Sequence, residues 1–356
     1  MLHSPLIEAF ERQVAWCRQP SPFTARLLER TRLWLQAHSD THEAHDTLAA
    51  IDADPLAAAV ALRWAGALHH LALQGLEPWS TMWPPRRAAD APSDAEFDAA
   101  IAEAWHSQRP ALQAALALPP QTNEVQRSAA LLPGLLHVAA RTGRPLALLE
   151  IGASAGLNLW CERHRYDYGS WSWGDPAAAL QLQCEWRGPA PAVAEAGLRI
   201  VQRAACDANP IDLTQPGEAL RLTSFVWPDQ AERLARLRTA QRETARWLAD
   251  EGVAVQAQRA SDFVAQQLAA APQGLATVLM HSIVWQYIGG AEQAAIEAAV
   301  AAAAARATAT SPLAWLRVEP PAPDKAVEIR CRVWPGGDEV CLGKAHPHVA
   351  WIESRA

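Results

Sequence analysis

Between Leu146 and Asn158 an apolar run ends in Glu150, Gly152 and Gly156 bracket a tight turn, and an apolar-periodic segment follows. A chain with this order hands a parallel strand to a helix at the edge where α/β sheets bind ligands. The small residues Ala153, Ser154 and Ala155 let a ligand approach the backbone. The helix start beyond them offers N–H groups to a carboxylate or a phosphate. Glu150 chooses between the two, because a carboxylate just before the turn repels phosphate and welcomes a cation.

The rest of the chain divides around this feature. Residues 1–122 read as a helical cap domain, with helical spacing over Ala25–Ala37, Leu56–Leu73 and Asp94–Leu118 and a proline-broken loop around Glu77–Pro92. A helix over Glu124–Arg141 follows, with Asn123 as its N-cap. Residues 123–356 read as an α/β domain. Strands are expected at Ala147–Ile151, Leu180–Trp186, Val253–Gln258, Thr277–His281, Leu313–Val318, Val327–Trp334 and Glu339–Gly343, the last two joined as a hairpin through Pro335–Asp338. That pattern fits a doubly wound, mostly parallel seven-stranded sheet. The stretch Arg199–Asp229 fits neither period and is expected to be an irregular insertion over the strand ends.

The letters of the turn admit several ligands. A dinucleotide loop needs a glycine where Ser154 stands, and a P-loop needs a lysine that is absent from the turn. Gly152-Ala153-Ser154-Ala155-Gly156 also spells a hydrolase nucleophile elbow with Ser154 as nucleophile, and Asp262 with His346 or His348 can be proposed as its partners. Glu150 beside it opposes a developing oxyanion. S-adenosylmethionine (SAM) carries an amino-acid end, a sulfonium and an adenosine without phosphate, so Glu150 suits its cationic end and the N–H groups of the turn suit its carboxylate.

The pattern Glu150-x-Gly152-x-x-x-Gly156-x-Asn158 resembles motif I of the class I SAM-dependent methyltransferases. Clusters at Asn123–Ser128, Tyr166–Gly169, Trp173–Pro176, Asp207–Asp212 and Trp227–Gln230 resemble, together with the turn, an uncharacterised bacterial domain family with a methyltransferase-like core. The resemblance implies a Rossmann-like fold with SAM as cofactor. Glu150, Gly152, Ala153, Ser154, Gly156 and Asn158 would hold the methionine end, covered by Arg127. Glu185 would take the ribose hydroxyls, Asp262 the adenine amino group, and Phe263 would flank the ring. His281 stands where acceptors lie and is the candidate general base. Tyr168, Trp173, Asp207, Asn209 and Trp227 are candidates for the acceptor pocket. Each has a plainer role open to it: an ion pair of Arg127 with Glu124, one of Glu185 with Arg187, an Asx turn at Asp207, or burial of the aromatics. A SAM-binding sensor without transfer activity remains a different class of answer.

Composition trims the alternatives. A net charge of -7 argues against a broad nucleic-acid footprint and favours a small-molecule partner. The six cysteines have no zinc spacing and suit a reducing cytoplasm. His38, His42 and His45 lack the spacing of a metal site, so no metal is expected. No secretory signal or membrane span is read from the sequence, and a cytoplasmic protein is expected.

Overall fold

The computed structural model describes residues 4–38, 43–52, 54–84, 92–322 and 325–355. His42 and residues 85–91 of the loop expected around Glu77–Pro92 lie outside them. The chain forms two compact units, Met1–Thr122 with Gln215–Arg238, and Asn123–Thr214 with Thr239–Ala356.

The first unit is helical: α1 Pro5–Cys17, α2 Pro22–Ala37, α3 Glu43–Ala49, α4 Val60–Leu73, α5 Trp79–Met82, α6 Asp94–His106 and α7 Arg109–Leu116. Chain order then places α8, Ser128–Thr142, in the second unit, while α9, Pro216–Ser224, and the start of α10, Ala231–Glu251, return to the first. Side chains such as Phe10, Leu27, Leu28, Trp64, Leu68, Trp79 and Phe97 make its core. Trp64 stays buried because its indole N–H donates to Thr31 Oγ1 at 2.8 Å. The single helix expected over Asp94–Leu118 is two helices. Pro110, in the first turn of α7, lacks an N–H and forbids continuation, while Ser93 and Glu96 start α6 with a capping box worth about 1 kcal/mol.

The second unit carries β1 Leu146–Ile151, β2 Arg165–Asp167, β3 Ser172–Trp173, β4 Gln181–Gln183, β5 Glu185–Arg187, β6 Ile200–Asp207, β7 Val255–Ala257, β8 Ala276–Ser282, β9 Leu313–Glu319, β10 Val327–Trp334, β11 Glu339–Ala345 and β12 Trp351–Ser354. Helices α11, Ala260–Ala269, and α12, Gly290–Ala304, complete it. One sheet has nine strands in the order β5-β12-β11-β10-β9-β8-β1-β6-β7, and a small sheet has the order β3-β2-β4. The neighbours from β7 to β9 are all parallel, whereas β9, β10, β11 and β12 alternate in direction. All six β1 residues are buried, as the centre of a parallel sheet requires.

Three sequence expectations are corrected here. The sheet has nine strands rather than seven. Leu180–Trp186 is not one strand but two: β4 joins the small sheet, and β5 pairs with β12 at the edge of the large one. Most consequentially, Arg199–Asp229 is not an irregular insertion, because it contains β6, the immediate neighbour of β1. Arg203 hid this strand by breaking its apolar run. Its side chain is nonetheless buried, paired with Glu162 and Glu251 and lying 4.5 Å from the Trp160 ring centre.

Candidate functional site

Counted in chain order, the five parallel strands run 3-2-1-4-5 across the sheet: β7, β6, β1, β8, β9. The winding direction therefore reverses between β1 and β8. It is beyond the carboxyl ends of strands at such a reversal that open α/β sheets take their ligands.

Glu150 stands at that end of β1, wholly buried. Burial first, and the neighbouring Asp207 second, push its carboxyl up to about 8, while the Asn158 amide and the Arg127 guanidinium pull the other way. The turn that follows is wound tightly. Gly152 and Gly156 have φ of +66° and +73°, and a Cβ on Gly152 would fall 2.3 Å from Val284 Cγ2. Ser154 has φ +53° without being a glycine. At the end of β8, Ile283 has φ +50°, an unusual conformation for a β-branched residue. Such outliers at adjacent strand ends point to a functional site.

The N–H groups of the turn, expected to receive a ligand's carboxylate, are already engaged. Ala153 donates to Cys206 O at 3.1 Å and Gly156 to Ala153 O at 2.7 Å. Ser154 donates to Asp207 Oδ2 at 2.9 Å, and Ala155 and Leu157 donate to Asn123 Oδ1 at 3.3 and 3.0 Å. Asn123 thus caps the segment after β1 rather than its own helix, where Glu124 accepts from Gln126 N–H at 3.2 Å. Acceptors are what the turn leaves over. Among the described residues, nothing hydrogen-bonds Glu150 Oε2, Ser154 Oγ or Asn158 Oδ1, all buried.

One short segment ties the surrounding strand ends together. Beyond the Asn123 contacts, Arg127 Nη1 donates to Ser282 O at 3.3 Å, and Gln126 Nε2 donates to Gln183 O at 2.7 Å and to Val349 O at 3.4 Å. Ser282 precedes the strained Ile283, and Val349, with φ +52°, precedes β12. The Asn123–Arg127 cluster is legible in the sequence as a run of polar residues. Its partners are not.

His281 is fully buried at the end of β8 with both ring nitrogens bonded. The Trp315 indole, which can only donate, reaches Nε2 at 3.1 Å, so Nε2 accepts and the proton sits on Nδ1, 2.6 Å from Glu319 Oε1. The same oxygen accepts the N–H groups of Val284 and Trp285 at 3.1 and 3.3 Å. His281 therefore holds the loop after β8 in place, and no nitrogen is left to act as a base. Glu319 escaped notice because nothing local marks it.

The remaining candidates scatter. Glu185 lies on the edge strand β5, exposed and paired with Arg187 at 2.8 Å, so the acid at the carboxyl end of the second parallel strand is Asp207 instead. Asn209 N–H donates to Asp207 Oδ1 at 2.8 Å. Asp262 is exposed in the first turn of α11, but Phe263 is sealed in a core with Leu149, Ile151 and Leu279 and cannot flank a ligand ring. Tyr168 is buried, its hydroxyl on Ala129 O at 2.7 Å, and Trp173 donates to Ala196 O at 3.2 Å. Trp227 packs on the core of the helical unit. Open hollows of about 460 and 400 Å³ flank Asp167, Gly169 and Ser170, and no residue of the β1 turn lines them.

Fold and site together define a mixed α/β protein with a large, mostly parallel sheet and a buried acid at its winding reversal. The chain belongs to the bacterial family described as "Uncharacterized protein conserved in bacteria (DUF2332)", which it matches over residues 7–354. No curated protein and no solved structure matches it. Among the described residues, no helix is long and apolar enough to cross a membrane, and no group of three or more His, Cys, Asp or Glu side chains could hold a metal ion.

Proposed function

We propose that the chain is a SAM-dependent methyltransferase acting on an O or N nucleophile of a small molecule. The observation that carries this is Glu150, a buried carboxyl with an unengaged oxygen at the end of the first of five parallel strands ordered 3-2-1-4-5. This is the parallel order and the strand end at which Rossmann-like sheets bind adenosine ligands.

The acceptor set supports the amino-acid end of SAM. Three acceptor oxygens at one turn, from Glu150, Ser154 and Asn158, match the three donors of an ammonium group. With the turn's N–H groups occupied, the ligand's carboxylate falls to Arg127, a guanidinium close enough to Glu150 to lower its pKa. The ribose hydroxyls fall to Asp207, which replaces Glu185 in that role. When bound, SAM supplies an electrophilic sulfonium methyl. The protein's part is alignment and exclusion of water. Asp207, and Glu150 once a bound ammonium group ionises it, disfavour the phosphates of NAD and ATP.

A hydrolase using Ser154 is less well supported, because no hydrogen bond reaches Ser154 Oγ among the described residues, from His346, His348 or any other side chain. A SAM sensor remains the alternative that shares the same site. Calorimetric titration with SAM, S-adenosylhomocysteine, NAD and ATP tests the assignment. Binding of the two sulfur ligands alone, weakened at least tenfold by Glu150→Gln, is expected. Failure of folded protein to bind either sulfur ligand rejects it.

A further inference from the structure

His348 lies in the turn between β11 and β12, half exposed, its Nδ1 3.8 Å from Oε2 of Glu124, whose side chain is buried. The turn is pinned around it. His348 N–H donates to His346 Nδ1 at 3.1 Å and Val349 N–H to His346 O at 2.7 Å, while Gln126 holds Val349 O from the other side. Val349 carries the left-handed φ of +52° that this turn demands. Glu124 directly follows Asn123, whose amide oxygen holds the β1 turn, so one short segment carries both the partner of His348 and the support of the candidate ligand site.

The chemistry of the pair is directional. An ionised carboxylate only accepts, so a hydrogen bond formed by closing this gap places the proton on the facing nitrogen and leaves Nε2 its lone pair. A separation of 3.8 Å is within ion-pair reach and short of a hydrogen bond. Catalytic pairs are often this loose before substrate arrives. The other histidines near the strand ends do not compete, since His281 has both nitrogens bonded and His346 Nδ1 accepts a backbone N–H.

We propose that His348, oriented by Glu124, accepts the proton of the group that receives the methyl. The inference rests on the methyltransferase assignment above. As the acceptor's lone pair forms a bond to the methyl carbon, its O–H or N–H proton passes to His348 Nε2. The electrons of the breaking C–S bond stay on sulfur, which becomes a neutral thioether. The half-exposed ring then returns the proton to water. A base of this kind serves a hydroxyl or a weakly nucleophilic N–H, and is of no use to an acceptor that is already an anion. The acceptor class is therefore a neutral alcohol, phenol or N–H compound.

Nitrogen-15 NMR of the histidine rings in the full-length chain tests this without knowing the acceptor. Spectra are taken at about pH 8, above the ordinary histidine range, with His348→Gln assigning the resonance. The free protein should show His348 protonated on Nδ1. SAM and S-adenosylhomocysteine differ at the sulfonium, so the Nε2 resonance should differ between their complexes more at His348 than at any other of the twelve histidines. Glu124→Ala should release the Nδ1 tautomer. A wild-type ring protonated on Nε2 overturns the proposal, as does an identical Nε2 resonance in both complexes. If calorimetry finds that neither ligand binds, the SAM assignment falls on that measurement, while the tautomer still decides whether Glu124 orients His348.

Discussion

The Asp207 carboxylate accepts a hydrogen bond from the Ser154 backbone N–H at 2.9 Å, so the acid ending β6 holds the turn that ends β1. A glycine-rich turn of this kind usually offers its N–H groups to a ligand's phosphate. Here a side chain of the protein occupies that place, and the site is left rich in acceptors.

Asp207 should therefore matter to the fold of the turn before it matters to any ligand. It accepts from both Ser154 and Asn209. Asp207→Ala strands the Ser154 N–H and should cost about 1–3 kcal/mol in urea denaturation. Asp207→Asn keeps one acceptor and should cost less. Equal stability of Asp207→Ala and wild type would show that the turn holds itself.

Glu150 should give stability an unusual pH slope. Its pKa rises from 4.5 to about 8 on folding, so between those values the folded state holds a proton that the unfolded state has released. Stability contributed here is present at low pH and declines as pH rises from 4.5 toward 8, by on the order of a few kcal/mol. Glu150→Gln cannot ionise and should lose that decline, gaining on wild type most at pH 8. Denaturant melts at pH 5 and pH 8 check the sign.

Two buried histidines should act in the opposite direction. Burial holds His69, in the helical unit, and His164, in the sheet unit, down to about 4 from 6.5. The unfolded chain takes up both protons between pH 6.5 and 4 while the folded chain does not. Stability is thus full above 6.5 and falls as pH falls. His69→Gln should flatten the acid limb measured by urea melts, and an unchanged limb would mean that His69 is protonated in the fold.

Gly152→Ala should disrupt the contact between the turn and the loop after β8. The added methyl would sit 2.3 Å from Val284 Cγ2 at a backbone with φ +66°. Together these should cost roughly 2–4 kcal/mol. Combining it with Val284→Ala should recover the overlap but not the backbone strain, and a double-mutant cycle separates the two. Simple additivity in that cycle would place the whole cost in the backbone.

Where structure is governed by neighbours along the chain, the sequence could be read closely. The span expected for β10, Val327–Trp334, is the strand observed, and β1 differs from its expected span by one residue, Leu146. Alternation, apolar runs and glycine turns are local signals. Reading failed where a tertiary partner changed what a residue meant. Arg203 interrupts the apolar residues of β6, and only Trp160, Glu162 and Glu251, gathered around it, make it a buried strand residue.

The site divides in the same way. The sequence alone determined that an acid and a small-residue turn end a buried strand at Leu146–Asn158, because pattern and glycine conformation are properties of contiguous residues. Only the tertiary structure decided that Asp207 and Asn123 occupy the turn's donors, that Glu319 and Trp315 commit His281, and that His348 meets Glu124. Each of those contacts joins residues at least 32 positions apart. Which polar group meets which is set by the order in which the strands assemble.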